Sequence, residues 1–232
     1  MDMELHLKEV EERIGYVFGN KELLRSAITH SSFTNELKIN KWECYQRLEY
    51  LGDAVLELTI SEYLFRNYPE MSEGKMSKVR ASMVCEQALA FCAKDICLGK
   101  YILLGKGEES GGGRERNSII SDVFEAIIGA IYMDGGFEPA RAFISKYVLE
   151  DIGERQLFVD SKSILQEMVQ GSGSHQGPVY KLVSETGPEH NKVFEVAVYV
   201  DENCMATATG HNKKDAEQKA AYIALKKLKE QQ

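Results

Sequence analysis

Arg47-Leu48-Glu49-Tyr50-Leu51-Gly52-Asp53-Ala54-Val55-Leu56-Glu57-Leu58 sets apolar residues three and four apart, and within that pattern Glu49 and Asp53 are also four apart. Leu48, Leu51, Val55 and Leu58 form the stripe of a helix. Residues at that spacing share a face, with Cβ atoms roughly 5–6 Å apart, so the two carboxylates stand together. Like charges so placed weaken a helix, and an ionised carboxylate among apolar neighbours must find a partner or take up a proton. The stretch therefore predicts a helix that needs compensation from elsewhere. Glu57 continues the acidic row, but Thr59, Ser61 and Glu62 beside it indicate a more solvated turn.

A second stretch has the same character. Ser118-Ile119-Ile120-Ser121-Asp122-Val123-Phe124-Glu125-Ala126-Ile127-Ile128-Gly129-Ala130-Ile131-Tyr132 is apolar nearly all round, as a buried helix is, and Asp122 and Glu125 lie three apart on one face. For any single acid a distant Arg or Lys is the simpler partner, with Arg47 and Arg80 available. For all four together, one or two hard divalent cations suit the donors better. Two such ions about 4 Å apart would activate a water and stabilise the leaving oxygen of a phosphodiester. The carboxylates thus point to hydrolysis of a phosphate ester without specifying which.

Helical periodicity holds from residue 5 to about 153, with helices expected at 5–14, 21–30, 42–65, 75–95, 118–134 and 139–150. Beyond Val159 the pattern changes to a short helix at 161–170, strands near 179–184, 194–200 and 205–209, and a last helix at 213–229. The fold class is an all-α domain followed by a small α+β domain of order α-β-β-β-α. Domain boundaries are expected at 1–156 and 161–230, with a linker at 157–160.

The chain has 232 residues, 44% of them hydrophobic, enough for a real core in one or two domains. Its net charge of −8 at first argues against a polyanionic partner. From Asp160 onward, however, nine lysines face ten acids, so most of the excess lies upstream, where 19 bases face 26 acids. The five cysteines form no CxxC pair and read as reduced core residues. The N-terminus has no apolar leader and no stretch approaches a membrane span of ~20 residues, so no membrane association and a cytoplasmic setting are expected.

The Arg47–Leu56 stretch resembles the signature helix of the bacterial ribonuclease III family. The second acidic helix, the segment from Glu73-Gly74 through Arg80-Ala81, and Thr29-His30-Ser31-Ser32-Phe33 resemble further parts of that family, so the likeness runs along essentially the whole chain. It implies that Glu49, Asp53, Asp122 and Glu125 are ligands for Mg2+, with Mn2+ able to substitute, and that Asp53 and Glu125 are the most critical for catalysis. It also implies a homodimer that cuts each strand of double-stranded RNA once, leaving 5′-phosphate and 3′-hydroxyl ends. The expected substrates are precursors of ribosomal RNA and some messenger and transfer RNAs. Glu73 matches a further family acid near the site. Gln46 stands where the family usually has glutamate; an amide hydrogen-bonds but carries no charge and is no base. Tyr50 stands where phenylalanine is common, at the expected dimer contact.

The C-terminal part resembles a double-stranded RNA-binding domain through Leu165-Gln166-Glu167, Gly187-Pro188-Glu189-His190 and the Asn212–Ala221 segment. Asn212 can cap the last helix, whose positive end with Lys213 and Lys214 would face phosphates. Gln166, Glu167 and His190 would reach the flanking minor grooves, spanning ~16 base pairs. Ala208 replaces a common glycine.

Other features carry less. The glycine-rich 105–113 stretch lacks a phosphate-loop pattern and reads as a mobile loop near the substrate. His30 has no nucleophile and acidic orienter around it and reads as a hydrogen-bonded structural histidine, and Trp42 as a packing residue at a helix start. The rival to an enzyme is a non-catalytic binder of duplex RNA, to which Gln46 alone points.

Overall fold

The computed structural model describes residues 2–38, 40, 42–150, 161–171, 177–187, 192–210 and 212–230. Two compact units result, Met1–Ile152 and Gly153–Gln232. The expected linker at 157–160 and His190 lie outside the described residues.

The first unit is helical: α1 (Met3–Ile14), α2 (Lys21–Ala27), α3 (Ser31–Leu37), α4 (Gln46–Asn67), α5 (Glu73–Val84), α6 (Glu86–Asp95), α7 (Lys106–Ser110), α8 (Asn117–Gly135) and α9 (Phe137–Ile144), which runs into a π-helical turn over Ser145–Leu149. Its core is built around α8, where Phe124, Ile127, Ile128 and Ile131 are fully buried. Leu56, Ile60 and Leu64 of α4 join the same cluster. α4 and α8 cross with their backbones in contact at Gly52 and Gly129. A Cβ on Gly129 would lie 2.1 Å from the carbonyl oxygen of Leu48, so only glycine permits the crossing.

Several boundaries differ from expectation. The helix expected at 75–95 is two, because Cys85 adopts an extended conformation (φ −67°, ψ 154°) between α5 and α6. Apolar spacing continues on both sides of that break and does not mark it. The helix expected at 21–30 ends at Ala27, and His30 starts α3, which periodicity missed. Trp42 precedes α4 and is 62% exposed, so it is not a packing residue. The glycine-rich stretch contains a helical turn, Lys106–Ser110, where a loop was expected. Arg116 pairs with Glu108 at 2.6 Å, and Arg114 donates from Nη1 to the carbonyls of Gly99, Lys100 and Ile102. All five cysteines are free, but only Cys44 and Cys92 are buried. Among the described residues no helix is long and apolar enough to cross a membrane.

The second unit comprises α10 (Ser161–Gly171), β1 (Val179–Thr186), β2 (Val193–Val200), β3 (Asn203–Gly210) and α11 (Lys213–Glu230). The strands form an antiparallel sheet in the order β1-β2-β3, with irregularities at Leu182/Ser184 and at Val198/Tyr199. Val198 and Ala206 pack with Leu165 of α10 and with Ala220, Ala221, Ala224 and Leu225 of α11. Gly210, not position 208, is where β3 meets the start of α11: a Cβ there would lie 2.5 Å from the Ala216 nitrogen. The fold class expected from sequence, all-α followed by α-β-β-β-α, is the one observed.

Candidate active site

The α4–α8 crossing brings Glu49 and Asp53 of one helix to Asp122 and Glu125 of the other. All four carboxyl groups are shifted toward the protonated form, and burial is the first cause in each. Mutual repulsion adds to it: Glu49 feels Asp122 and Asp53, while Glu125 feels Asp53, Glu49 and Asp122 and is pushed up to about 8. Asp53 is the most open of the four and is raised further by Glu57.

Glu57, half-buried between exposed Asp53 and Leu58, is thus also part of the electrostatic surroundings of Asp53. Thr59, read from sequence as a sign of solvation, is 2% exposed and donates to the Val55 carbonyl at 2.8 Å.

None of the ion pairs among the described residues engages any of the four acids. The alternative of distant basic partners thus fails for Arg47, which is exposed, and for Arg80, which donates to Ser61 Oγ at 2.9 Å. As the side chains stand, no three His, Cys, Asp or Glu among the described residues are drawn together tightly enough to grip an ion. The donor set, hard oxygens with mutual repulsion and no base, fits a divalent cation such as Mg2+.

Asp122 has one partner that sequence reading missed. Tyr45, 5% exposed, donates from its hydroxyl to Asp122 Oδ2 at 3.1 Å. Burial, then Asp122, raises the phenol far above its ordinary range, so it remains a donor. The His30 ring lies 5.6 Å from that of Tyr45. His30 Nδ1 accepts from the Ser32 amide at 3.1 Å and contacts Ser32 Oγ at 2.7 Å, and burial lowers its pKa. It is hydrogen-bonded, as expected. The sequence signal for the crossing is a glycine inside each acidic helix, Gly52 between the acids of one and Gly129 four residues after Glu125.

Gln46 and Glu73 are not in this cluster. Gln46 Oε1 accepts from Cys44 Sγ at 3.6 Å and lines a cleft of about 800 Å³ with Trp42, Arg47 and Tyr50. Glu73 begins α5, accepts from Ser77 Oγ at 3.0 Å and lines a cleft of about 480 Å³ with Leu58, Phe65 and Arg80. Both clefts border exposed apolar side chains of α4. Tyr50, Leu58 and Phe65 are 83%, 58% and 73% exposed, although periodicity placed Leu58 on the buried stripe.

In the second unit Gln166, Glu167, Lys213 and Lys214 are exposed. Asn212 Oδ1 accepts from the Asp215 amide at 2.8 Å, which caps α11 and fixes Lys213 and Lys214 at its positive end. Lys213 Nζ lies 6.0 Å from the centre of the Phe194 ring. Lys219 is paired with Asp215 at 2.7 Å.

Comparison with known proteins agrees with both halves. Residues 20–152 match the family described as Ribonuclease-III-like, and 161–228 match the Double-stranded RNA binding motif. The chain is 48% identical to Ribonuclease 3 of Bacillus cereus (strain AH187) over 227 residues, covering 97% of this chain and 92% of that one. It is equally 48% identical to Ribonuclease 3 of Bacillus velezensis over 225 residues, covering 95% and 89%. Among solved structures, a nuclease domain of ribonuclease III from Campylobacter jejuni, described as flexible in a region involved in dimer formation, aligns with a TM-score of 0.58 at 41% identity. That alignment covers 62% of this chain and 97% of the other.

Proposed function

Because the chain belongs to the ribonuclease III family and is an endoribonuclease with a double-stranded RNA-binding domain, we propose a homodimeric, magnesium-dependent enzyme that hydrolyses both strands of duplex RNA. Its products carry 5′-phosphate and 3′-hydroxyl ends. It acts in the cytoplasm on ribosomal RNA precursors and on some messenger and transfer RNAs, and Mn2+ can replace Mg2+.

The observation that carries this reading is the meeting, at the Gly52–Gly129 crossing, of four carboxyl groups that no ion pair among the described residues engages. Glu49, Asp53, Asp122 and Glu125 would hold the metal. When bound, the metal supplies an activated water and charge stabilisation for the leaving oxygen. Glu125 must lose its proton to serve as a ligand, and a neighbouring positive charge favours that loss. Asp53, open to solvent, is the acid most accessible to a phosphate.

Dimerisation is supported by Tyr50, Leu58 and Phe65, which lie on one face of α4 and form an exposed apolar stripe of the kind that marks an interface. Gln46 and Glu73 face clefts along that stripe, and we assign them auxiliary roles there. The domains are 1–156 and 161–230, joined at 157–160. In the second domain Lys213 and Lys214 would face phosphates, while Gln166, Glu167 and His190 would reach the minor grooves.

The test is incubation with duplex RNA. Magnesium-dependent cuts that vanish in Glu125→Ala while RNA binding persists support the proposal. Intact RNA at saturating wild-type protein and magnesium would sink it.

A further inference from the structure

We propose that Tyr45 is a positioning residue for the metal site: it fixes the rotation of the Asp122 carboxylate and ties that group to the start of the helix that carries Glu49. The inference rests on the reading of Asp122 as a metal ligand.

Two parts of one residue make the link. The Tyr45 carbonyl accepts from the amides of Leu48 and Glu49, each at 2.9 Å, and so begins the first turn of α4. Its hydroxyl donates to Asp122 Oδ2 at 3.1 Å on α8, so the other carboxylate oxygen, Oδ1, is the one that would face a cation. A single rigid side chain thereby spans the two helices that supply the acids. A hydrogen bond to one carboxylate oxygen fixes the rotation of the group and selects which oxygen faces the ion, and loss of such an outer partner typically weakens metal binding by about 10–100-fold.

The ring is itself held. The Tyr45 amide donates to the Thr29 carbonyl at 2.9 Å, and the His30 amide donates to the Leu103 carbonyl at 3.0 Å, which brings His30 against the Tyr45 ring. Ser32 fixes His30 and accepts from the Gly105 amide at 2.9 Å. The ring is thus held through the Thr29-His30 stretch, itself stitched to Leu103 and Gly105. Asp122 is the acid with this bond; Glu49, Asp53 and Glu125 have no hydrogen bond to a phenol among the described residues.

The test uses the full-length protein without RNA and reads Mn2+ binding from the loss of the free-ion signal in electron paramagnetic resonance. Tyr45→Phe keeps the ring and the helix-starting carbonyl and deletes only the donor. The expected result is a Mn2+ dissociation constant about tenfold higher, with the helical circular-dichroism spectrum and the duplex-RNA affinity in Ca2+ retained. At tenfold higher Mn2+ the cleavage rate should return to the wild-type value, so the defect sits in metal half-saturation rather than in the maximal rate. In the double variant, Tyr45→Phe should add nothing to the loss caused by Asp122→Asn. A Tyr45→Phe isotherm superimposable on the wild type overturns the inference, as do losses that multiply in the double variant. If Asp122→Asn itself leaves Mn2+ binding intact, the metal reading of Asp122 fails and takes this inference with it. Binding lost in Asp122→Asn but unchanged in Tyr45→Phe removes the inference alone.

Discussion

A Cβ placed on Gly52 would stand 1.8 Å from the carbonyl oxygen of Glu125. That oxygen belongs to the backbone of α8, so no rotamer relieves the contact and the helices must separate. Gly52→Ala should therefore cost about 3 kcal/mol or more and abolish cleavage by moving one acidic pair away from the other. Gly74, also helical, has nothing within 4 Å of its Cβ position. Gly74→Ala should be neutral or stabilising by about 0.5 kcal/mol. Urea unfolding of both variants measures the contrast, and similar midpoints would contradict the crossing geometry.

Stability in the absence of metal should fall as pH rises toward 8. Glu125 keeps its proton up to about 8 in the folded chain, against 4.5 ordinarily. Between those values the folded state binds more protons than the unfolded state, so stability is highest below the window and is lost as the pH rises through it. Glu125→Gln removes this term. In EDTA the variant should gain on the wild type steadily from about pH 5 to about pH 8, as read by thermal unfolding. A difference that stays flat across the window would count against a raised Glu125. Because the same proton leaves when a cation binds, Mn2+ affinity should rise over that range.

The exposed stripe on α4 predicts the oligomeric state. Leu58→Asp or Phe65→Asp puts a charge where the proposed partner packs and should shift sedimentation from dimer to monomer. Val17 is 75% exposed and lies outside α4, so Val17→Asp should leave the mass unchanged. A wild-type monomer, or dimers that survive both α4 substitutions, would remove the interface from this helix.

Binding to duplex RNA should depend on salt through Lys213 and Lys214. Each replacement by alanine should lower the slope of log affinity against log salt by on the order of 1, equally for unrelated duplex sequences. Lys219 is already paired with Asp215, and Lys219→Ala should change the slope much less. Filter binding at several salt concentrations distinguishes these outcomes. A slope unaltered in Lys213→Ala and Lys214→Ala would place the phosphate contacts elsewhere.

The sequence made the helical and mixed halves readable because period-three-and-four and period-two patterns reflect which side chains are buried, and those patterns are local. Break points were less legible. Cys85 interrupts a continuous apolar pattern, and His30 starts a short helix fixed by contacts with Ser32 and Leu103 rather than by periodicity. Leu58 fits the buried stripe by spacing yet is exposed, since spacing gives the width of an apolar face and not how much of it this chain covers.

At the site, sequence by itself determined that Glu49 shares a face with Asp53 and Asp122 with Glu125, because helical spacing is a property of a few consecutive residues. That the two faces meet depended on Gly52 and Gly129, whose lack of a Cβ lets backbones from distant parts of the chain touch. Tyr45 and Asp122 are 77 positions apart. Only the tertiary structure decides such a pair, because a hydrogen bond between distant residues follows from the packing of their helices and leaves no period in the sequence.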